Sequence, residues 1–127
     1  MNVGDSYRGT RGNGMRPETP FLLDLFDRLK KEGIRYCVER NYEGLPYDLC
    51  GHDLDLLILR SSMNHAMRII LSTAQAHGGC CTPPGSQVSG LRWVLCLGLT
   101  DGGHLWGLRI DLKPSISWKG VDIAEVD

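Results

Sequence analysis

The sequence predicts an α/β fold of the α+β type, in which two helices pack on a small mixed sheet of four or five strands. Apolar residues recur at helical spacing over residues 19–32 and 62–77. Four shorter segments are rich in strand-forming residues, and the last two flank a glycine turn typical of a β-hairpin. With 127 residues, the chain has the size of one domain with one core.

The first helix is predicted at residues 19–32. Thr19 is a suitable N-cap, Pro20 suits the first helical position, and Gly33 ends the helix. Its apolar stripe consists of Leu22, Leu25, Phe26 and Leu29. Residues 1–17 are glycine-rich and polar, so we expect a flexible tail there and a single domain over residues 18–127.

Two strands and the second helix follow. The first strand is predicted at residues 34–39, before a turn-rich segment, and the second at residues 53–59. Ser61 or Ser62 is expected to cap the second helix, which ends at Gly78.

The C-terminal half contains the predicted hairpin. Residues 92–99 form one arm, residues 100–103 the turn and residues 104–112 the other arm. In the second arm, apolar residues alternate with Arg109, Asp111 and Lys113, which therefore share the opposite face.

The overall composition is that of an ordinary globular protein. The hydrophobic fraction is 42%, the charged fraction 23% and the formal net charge −1, so no general attraction to nucleic acid or to a membrane surface is indicated. No apolar run approaches the roughly 18 residues of a transmembrane helix, and no signal peptide is visible. We therefore expect a cytoplasmic protein.

The five cysteines do not form a CxxC pattern. Cys37 and Cys96 lie within apolar runs and are expected to be small core residues. Cys50 and the pair Cys80–Cys81, with His52 and His77 nearby, leave a zinc-supported interaction domain as an alternative, although their spacing fits no common zinc pattern. Reduced thiols of a cytoplasmic protein are the simpler interpretation.

Asp53 and Asp55 stand at the start of an aliphatic strand. Residues two apart in a strand point to the same face, so the two carboxylates should project side by side. If the strand with Asp111 pairs beside them, three carboxylates meet at one edge of the sheet. Such an oxygen-rich cluster is the ligand set that Mg²⁺ or Mn²⁺ prefers. The alternative is that the aspartates are solvated or paired with cations, and that Asp111 pairs with Arg109 or Lys113.

In this order of elements and motifs the chain resembles the polymerase-β-like nucleotidyltransferase superfamily, and more narrowly small bacterial nucleotidyltransferase-like proteins, some of them linked to surface-polysaccharide genes. The resemblance covers residues 18–120. The matching segments are YCVERNYEGLP (36–46), DLDLLI (53–58), RIDLKP (109–114) and SWKG (117–120).

The resemblance implies a minimal nucleotidyltransferase core that transfers a nucleoside monophosphate from a nucleoside triphosphate (NTP) to an acceptor hydroxyl with the aid of a metal. Asp53 and Asp55 match the metal-binding pair. Asp111 matches the third carboxylate, which binds the catalytic metal and acts as a base. The acceptor, a sugar, a small molecule or a protein, is unidentified, and such cores often hold it through a partner domain or a dimer mate.

The chain departs from the family at the end of the first strand, where Arg40 and Asn41 replace the usual Gly-Ser. Arg40 could clamp phosphate oxygens, or it could be a surface residue in a turn. Asn41 and His52 are weaker candidates for nucleotide contacts, and Lys113 is a further one. Lys113 and Arg109 share the face of Asp111 and are expected to lower its pKa. Without Gly-Ser, the second hypothesis is a non-catalytic binding or regulatory module with the same fold.

Overall fold

The structure is a computed structural model that describes residues 16–40, 43–47, 53–87, 89–118 and 121–125. Two helices and eight strands are found in these ranges. In chain order they are α1 (Thr19–Lys31), β1 (Tyr36–Arg40), β2 (Leu54–Ile58), a 3₁₀ turn (Arg60–Ser62), α2 (Met63–Ala76), β3 (Gly79–Cys81), β4 (Gly85–Ser86), β5 (Arg92–Leu99), β6 (Leu105–Lys113), β7 (Ser115–Trp118) and β8 (Val121–Glu125).

Six strands form one mixed sheet in the order β1-β2-β6-β5-β3, with β4 also paired to β5. The β2–β6 pair is parallel, and the other pairs are antiparallel. Strands β7 and β8 form a separate antiparallel pair. The predicted α+β class with a mixed sheet is confirmed. Beyond the four segments predicted as strands, the structure has the short β3 and β4 in this sheet and the separate pair of β7 and β8.

Both helices pack on one face of the sheet. Apolar side chains of α1 and α2 meet those of β2, β5 and β6 in a single core. The fully buried large members are Phe21, Leu22, Leu25, Leu29, Leu54, Leu56, Ile58, Met63, Ile70, Ile110 and Leu112. This arrangement follows from the helical and alternating spacing of apolar residues.

The N-cap residue differs from the prediction in α1 and agrees with it in α2. Thr19 is the first residue of α1 and Glu18 the N-cap, which makes no side-chain capping bond. The Thr19 hydroxyl instead accepts a hydrogen bond from the Arg16 N–H at 3.2 Å and donates one to the Tyr47 carbonyl at 3.4 Å. Ser62 is the N-cap residue of α2, as predicted, but its side chain makes no capping hydrogen bond, and a 3₁₀ turn leads into the helix.

The opposite face of the sheet is not covered by the helices, and we call it the open face. Its acidic end carries Asp53, Asp55 and Asp111. Its leucine end carries the exposed side chains Leu95, Leu97, Leu99 and Leu105. The register of β5 against β6 pairs Leu99 with Leu105 at one end and Trp93 with Asp111 at the other, so both groups lie on the same face.

Neither helix has the length and hydropathy that crossing a bilayer requires, over the residues described. Residues 1–15 of the predicted flexible tail lie outside the described ranges.

Candidate functional site

The parallel pairing of β2 with β6 brings the predicted aspartates together. Asp55 stands directly opposite Asp111 in the register of these strands. Asp53 lies one residue before β2 and shares the face of Asp55, as the two-residue period of a strand requires. Residues separated by more than fifty positions in the chain therefore converge at the acidic end of the open face.

The three carboxylates differ in exposure. Asp55 is 3% exposed and Asp111 is 7% exposed, whereas the Asp53 side chain is 54% exposed. Buried ionised carboxylates are unfavourable unless cations or hydrogen-bond donors accompany them. Two cationic side chains of β6 provide this compensation.

Arg109 is the first of these cations. Its Nε donates to Asp111 Oδ1 at 2.7 Å and lies 4.0 Å from Asp53 Oδ2. The guanidinium carbon lies 4.7 Å from the centroid of the Trp93 ring, which adds a cation–π contact. Arg109 thus links the exposed carboxylate to a buried one.

Lys113 is the second cation. Its Nζ lies 2.9 Å from Glu39 Oε2 and 3.9 Å from Asp55 Oδ1, and its side chain is 16% exposed. Lys113 therefore contacts Asp55 and Glu39, whereas Arg109 pairs with Asp111.

The pKa of Asp111 is raised above its ordinary value. Burial is the largest cause, and the neighbouring Asp55 adds to it, while the hydrogen bond and charge of Arg109 offset part of the effect. The expectation that the cations lower this pKa is wrong in its net direction, because burial outweighs the contribution of Arg109.

The donor chemistry of the cluster fits a hard divalent cation. Asp53, Asp55 and Asp111 offer carboxylate oxygens, which Mg²⁺ and Mn²⁺ prefer. Among the described side chains, Arg109 lies near Asp53 and Asp111, and Lys113 lies near Asp55 and Glu39. Within the same residues, no three acidic, histidine or cysteine side chains are arranged closely enough to hold a metal ion. The Arg109 side chain would have to move for an ion to contact both Asp53 and Asp111.

A polar cleft opens beside the cluster. It has a volume of about 260 Å³ and is lined by Glu39, Lys113, Ser115 and the loop before β5. This volume is just below the roughly 300–1,000 Å³ of typical small-molecule sites, so a bound nucleotide would remain partly open to solvent. A larger cavity, of about 750 Å³ beside Phe26 and Tyr36, has Asp27 as the one carboxylate in its lining, so we place the candidate site at the acidic cluster.

The other predicted ligand contacts have mixed outcomes. The backbone of Arg40 stands opposite Asp55 in the β1–β2 register, which places this residue at the acidic end. The side chain of Arg40, and the whole of Asn41 and His52, lie outside the described part of the chain. Their roles stay predictions.

The cysteines also have mixed outcomes. Cys96 is buried as predicted, whereas Cys37, on the edge strand β1, is exposed. Cys80 and Cys81 lie on β3 with opposite exposure, as neighbours in a strand do. Cys50 lies outside the described residues, and the zinc alternative stays a hypothesis.

Trp93 and Glu39 were not predicted as parts of this site. The hairpin could have revealed Trp93, because a turn that pairs Leu99 with Leu105 also pairs position 93 with position 111. Glu39 reaches Lys113 only because β1 and β6 both lie beside β2, a long-range arrangement with no local signal in the sequence.

Comparison of the chain with protein-family models, with curated proteins and with solved structures found no match. The resemblance to nucleotidyltransferases therefore stays an expectation.

Proposed function

We propose that the protein is a metal-dependent nucleotidyltransferase, which transfers a nucleoside monophosphate from an NTP to an acceptor hydroxyl and releases pyrophosphate. The observation that carries this proposal is the in-register pairing of Asp55 with Asp111 on adjacent parallel strands, with Asp53 on the same face. Two carboxylates that are buried side by side on adjacent strands serve no packing purpose and suit a cation.

In this proposal Asp53, Asp55 and Asp111 hold Mg²⁺ or Mn²⁺. The bound ion would polarise the phosphate oxygens and help to offset charge at the reacting phosphorus. Asp111 would accept the proton of the acceptor hydroxyl as that oxygen attacks, and its raised pKa favours such a role. Arg109 and Lys113 would turn from the carboxylates toward phosphate oxygens, as guanidinium and ammonium groups commonly do.

We assign the remaining predicted contacts to the nucleotide. Arg40 would clamp the triphosphate in place of the family's Gly-Ser, with Asn41 and His52 as additional hydrogen-bonding groups. The acceptor, a sugar, a small molecule or a protein hydroxyl, would be held with the help of a partner domain or a second copy of the chain. We place the protein in the cytoplasm, where NTP and Mg²⁺ are supplied.

A second candidate function is a non-catalytic binding or regulatory module. It is favoured by the position of Arg109, which joins Asp53 and Asp111 in the place that a metal ion would take. In that case the arginine is a permanent counter-ion, and the cluster is a structural feature of the sheet.

The experiment that tests the proposal is Mn²⁺ binding, followed by electron paramagnetic resonance, to the wild type, Asp55→Asn and the control Asp101→Asn. Asp101 is an exposed residue of the hairpin turn, so its substitution should leave binding unchanged. We expect Asp55→Asn to weaken Mn²⁺ binding by roughly 100-fold or more, since even groups that only support metal ligands change affinity by about 10–100-fold.

Activity is measured as pyrophosphate release from an NTP mixture with sugar, small-molecule and protein acceptors. Release by the wild type and its loss in folded Asp55→Asn would support the transferase. Mn²⁺ binding that is equal in the wild type and Asp55→Asn would sink the metal assignment. Tight NTP binding without pyrophosphate release from any acceptor would favour the non-catalytic module.

A further inference from the structure

Two cysteines face each other across strands β3 and β5, away from the acidic cluster. Cys81 and Cys96 are direct partners in the antiparallel register, and their Sγ atoms lie 3.4 Å apart. Both are free thiols. A disulfide, with a bond length of about 2.05 Å, requires only a small approach of the two sulfur atoms.

The backbone hydrogen bonds determine what kind of pair this is. The Thr82 N–H donates to the Leu95 carbonyl at 3.0 Å, so these two residues form a hydrogen-bonded pair. Hydrogen-bonded and non-hydrogen-bonded pairs alternate along antiparallel strands, which makes Cys81 and Cys96 a non-hydrogen-bonded pair. The Cα atoms of such pairs are about 4.5 Å apart, inside the range of about 4.4–6.8 Å that disulfides span.

A small molecule can reach Cys81 but not Cys96. Cys81 is half-buried and lines a cleft of about 320 Å³ between α2 and the loop after β3, whereas Cys96 is fully buried behind it. The lining is mostly apolar, with Arg68 as its cationic group. The cleft therefore suits one half of a disulfide reagent that carries negative charge.

The two thiols also differ in acidity. The hydrogen bond between the sulfur atoms lowers the pKa of Cys81. The same hydrogen bond, together with burial, raises the pKa of Cys96. Because the thiolate is the reactive form, Cys81 is the thiol that reacts first, and Cys96 is placed to react with it afterwards.

We propose that Cys81 and Cys96 are a redox-active dithiol that forms a reversible disulfide by exchange with a small anionic disulfide of the oxidised glutathione type. The inference rests on the register, the sulfur distance and the cleft. It does not depend on the proposed nucleotidyltransferase function.

The exchange has two steps. The Cys81 thiolate attacks one sulfur of oxidised glutathione, which forms a mixed disulfide and releases one glutathione thiolate. Cys96 then gives its proton to a glutathione thiolate and attacks Sγ of Cys81, so that the second glutathione leaves. Overall, two protein thiols are oxidised to one disulfide, and one glutathione disulfide is reduced to two thiols.

The disulfide would join the edge strand β3 covalently to β5 and would close a loop that contains β4. A covalent link across such a loop restricts the unfolded chain, so the oxidised protein should unfold at a higher temperature than the reduced one. The reduced state would return when reduced glutathione predominates.

The test is peptide mapping of the full-length protein after incubation with oxidised glutathione. Trypsin cuts after Arg68, Arg92 and Arg109, so Cys81 and Cys96 fall on separate peptides, 69–92 and 93–109. We expect a cross-link between these peptides, with a mass two hydrogen atoms below the sum of the two reduced peptides, and a higher melting temperature. Reduction should reverse both changes.

Cys80 provides the matched control, because it is exposed, adjacent to Cys81 and on the same tryptic peptide. The Cys80→Ser variant should form the same cross-link, and folded Cys96→Ser should instead accumulate a glutathione adduct on Cys81. The proposal is overturned if Cys80→Ser loses the cross-link, or if the wild type ends as a glutathione adduct without one. The wild type and Cys80→Ser decide the question even if Cys96→Ser does not fold.

Discussion

The two ends of the open face differ in how far their side chains are exposed to solvent. At the acidic end, Asp55 and Asp111 are 3% and 7% exposed, whereas at the leucine end Leu97 and Leu105 are 53% and 81% exposed. Both ends belong to the same strands, since β6 carries Leu105 near its start and Asp111 near its end. Charged groups are thus buried, and large apolar groups exposed, within one strand.

The hydrophobic effect alone would give the reverse distribution. Burying a carboxylate is unfavourable unless a cation accompanies it, and an exposed leucine contributes little to folding. The helix-facing side of β6 therefore provides the apolar burial that stabilises the fold. The two ends of its open side differ in that only the acidic end contains buried charges, which need neighbouring cations. At the acidic end, Arg109 and Lys113 offset the unfavourable burial of the aspartate charges. We expect the exposed leucine end to contribute little to the stability of the domain.

The largest expected difference in the free energy of unfolding is between alanine substitutions of two leucines of β6. Leu112→Ala should lower the free energy of unfolding by about 2–5 kcal/mol, because Leu112 is fully buried in the core. Leu105→Ala should change it by no more than about 0.5 kcal/mol, because 81% of that side chain is exposed. Urea denaturation of both variants measures the difference.

The same substitution on the same strand makes each variant the control of the other. The comparison would be contradicted if Leu105→Ala lost nearly as much free energy of unfolding as Leu112→Ala. It would also be contradicted if the loss for Leu105→Ala depended on protein concentration. Either result would mean that another surface covers the leucine end in solution.

The local features of the fold could be predicted from the sequence. Helical spacing placed α1 and α2 within a few residues of their ends, and the glycine turn placed the β5–β6 hairpin. Alternation placed Arg109, Asp111 and Lys113 on one face. These predictions succeeded because each depends on residues that are close in the chain.

The features that need long-range pairing could not be predicted. Nothing local to Asp55 shows that β6 lies parallel beside β2, although the hypothesis of three converging carboxylates depended on that arrangement. The exposure of Cys37 follows from the position of β1 at the edge of the sheet, and the raised pKa of Asp111 follows from its burial. Tertiary contacts determine both.

A smaller change in the free energy of unfolding tests whether Arg109 offsets the burial of charge at the acidic end. Arg109→Ala should lower the free energy of unfolding by about 1–2 kcal/mol in metal-free buffer, because it leaves Asp111 without its ion pair. The figure is below the 3–5 kcal/mol of fully buried pairs, because about a third of the Arg109 side chain is exposed. If the carboxylates bind a divalent cation, Mg²⁺ should restore part of this loss.

Arg28→Ala is the matched control for this variant. Arg28 also pairs with an aspartate, Asp24, at 3.0 Å, but on the surface of a helix, where such pairs contribute about 0.3–0.5 kcal/mol. Equal losses for the two variants would show that the acidic end does not depend on Arg109. Restoration of Arg28→Ala by Mg²⁺ would show that the ion acts nonspecifically.

The smallest effect is the pH dependence that Asp111 contributes. Burial raises its pKa in the folded state above the unfolded value of about 3.9, so folding favours the protonated form. The contribution of this group to stability is fully present below the unfolded pKa and is lost as the pH rises through the folded pKa. In metal-free buffer, the free energy of unfolding of the wild type should therefore fall relative to that of Asp111→Asn as the pH rises from about 4 toward neutrality. If the free energy of unfolding of the wild type instead rises relative to that of Asp111→Asn over this range, Arg109 stabilises ionised Asp111 by more than burial destabilises it. A divalent cation should oppose the loss, because it favours the ionised form, and it should have no such effect on Asp111→Asn. The pH dependence in the presence and absence of Mg²⁺ thus distinguishes a carboxylate that binds a divalent cation from one that is permanently paired with Arg109.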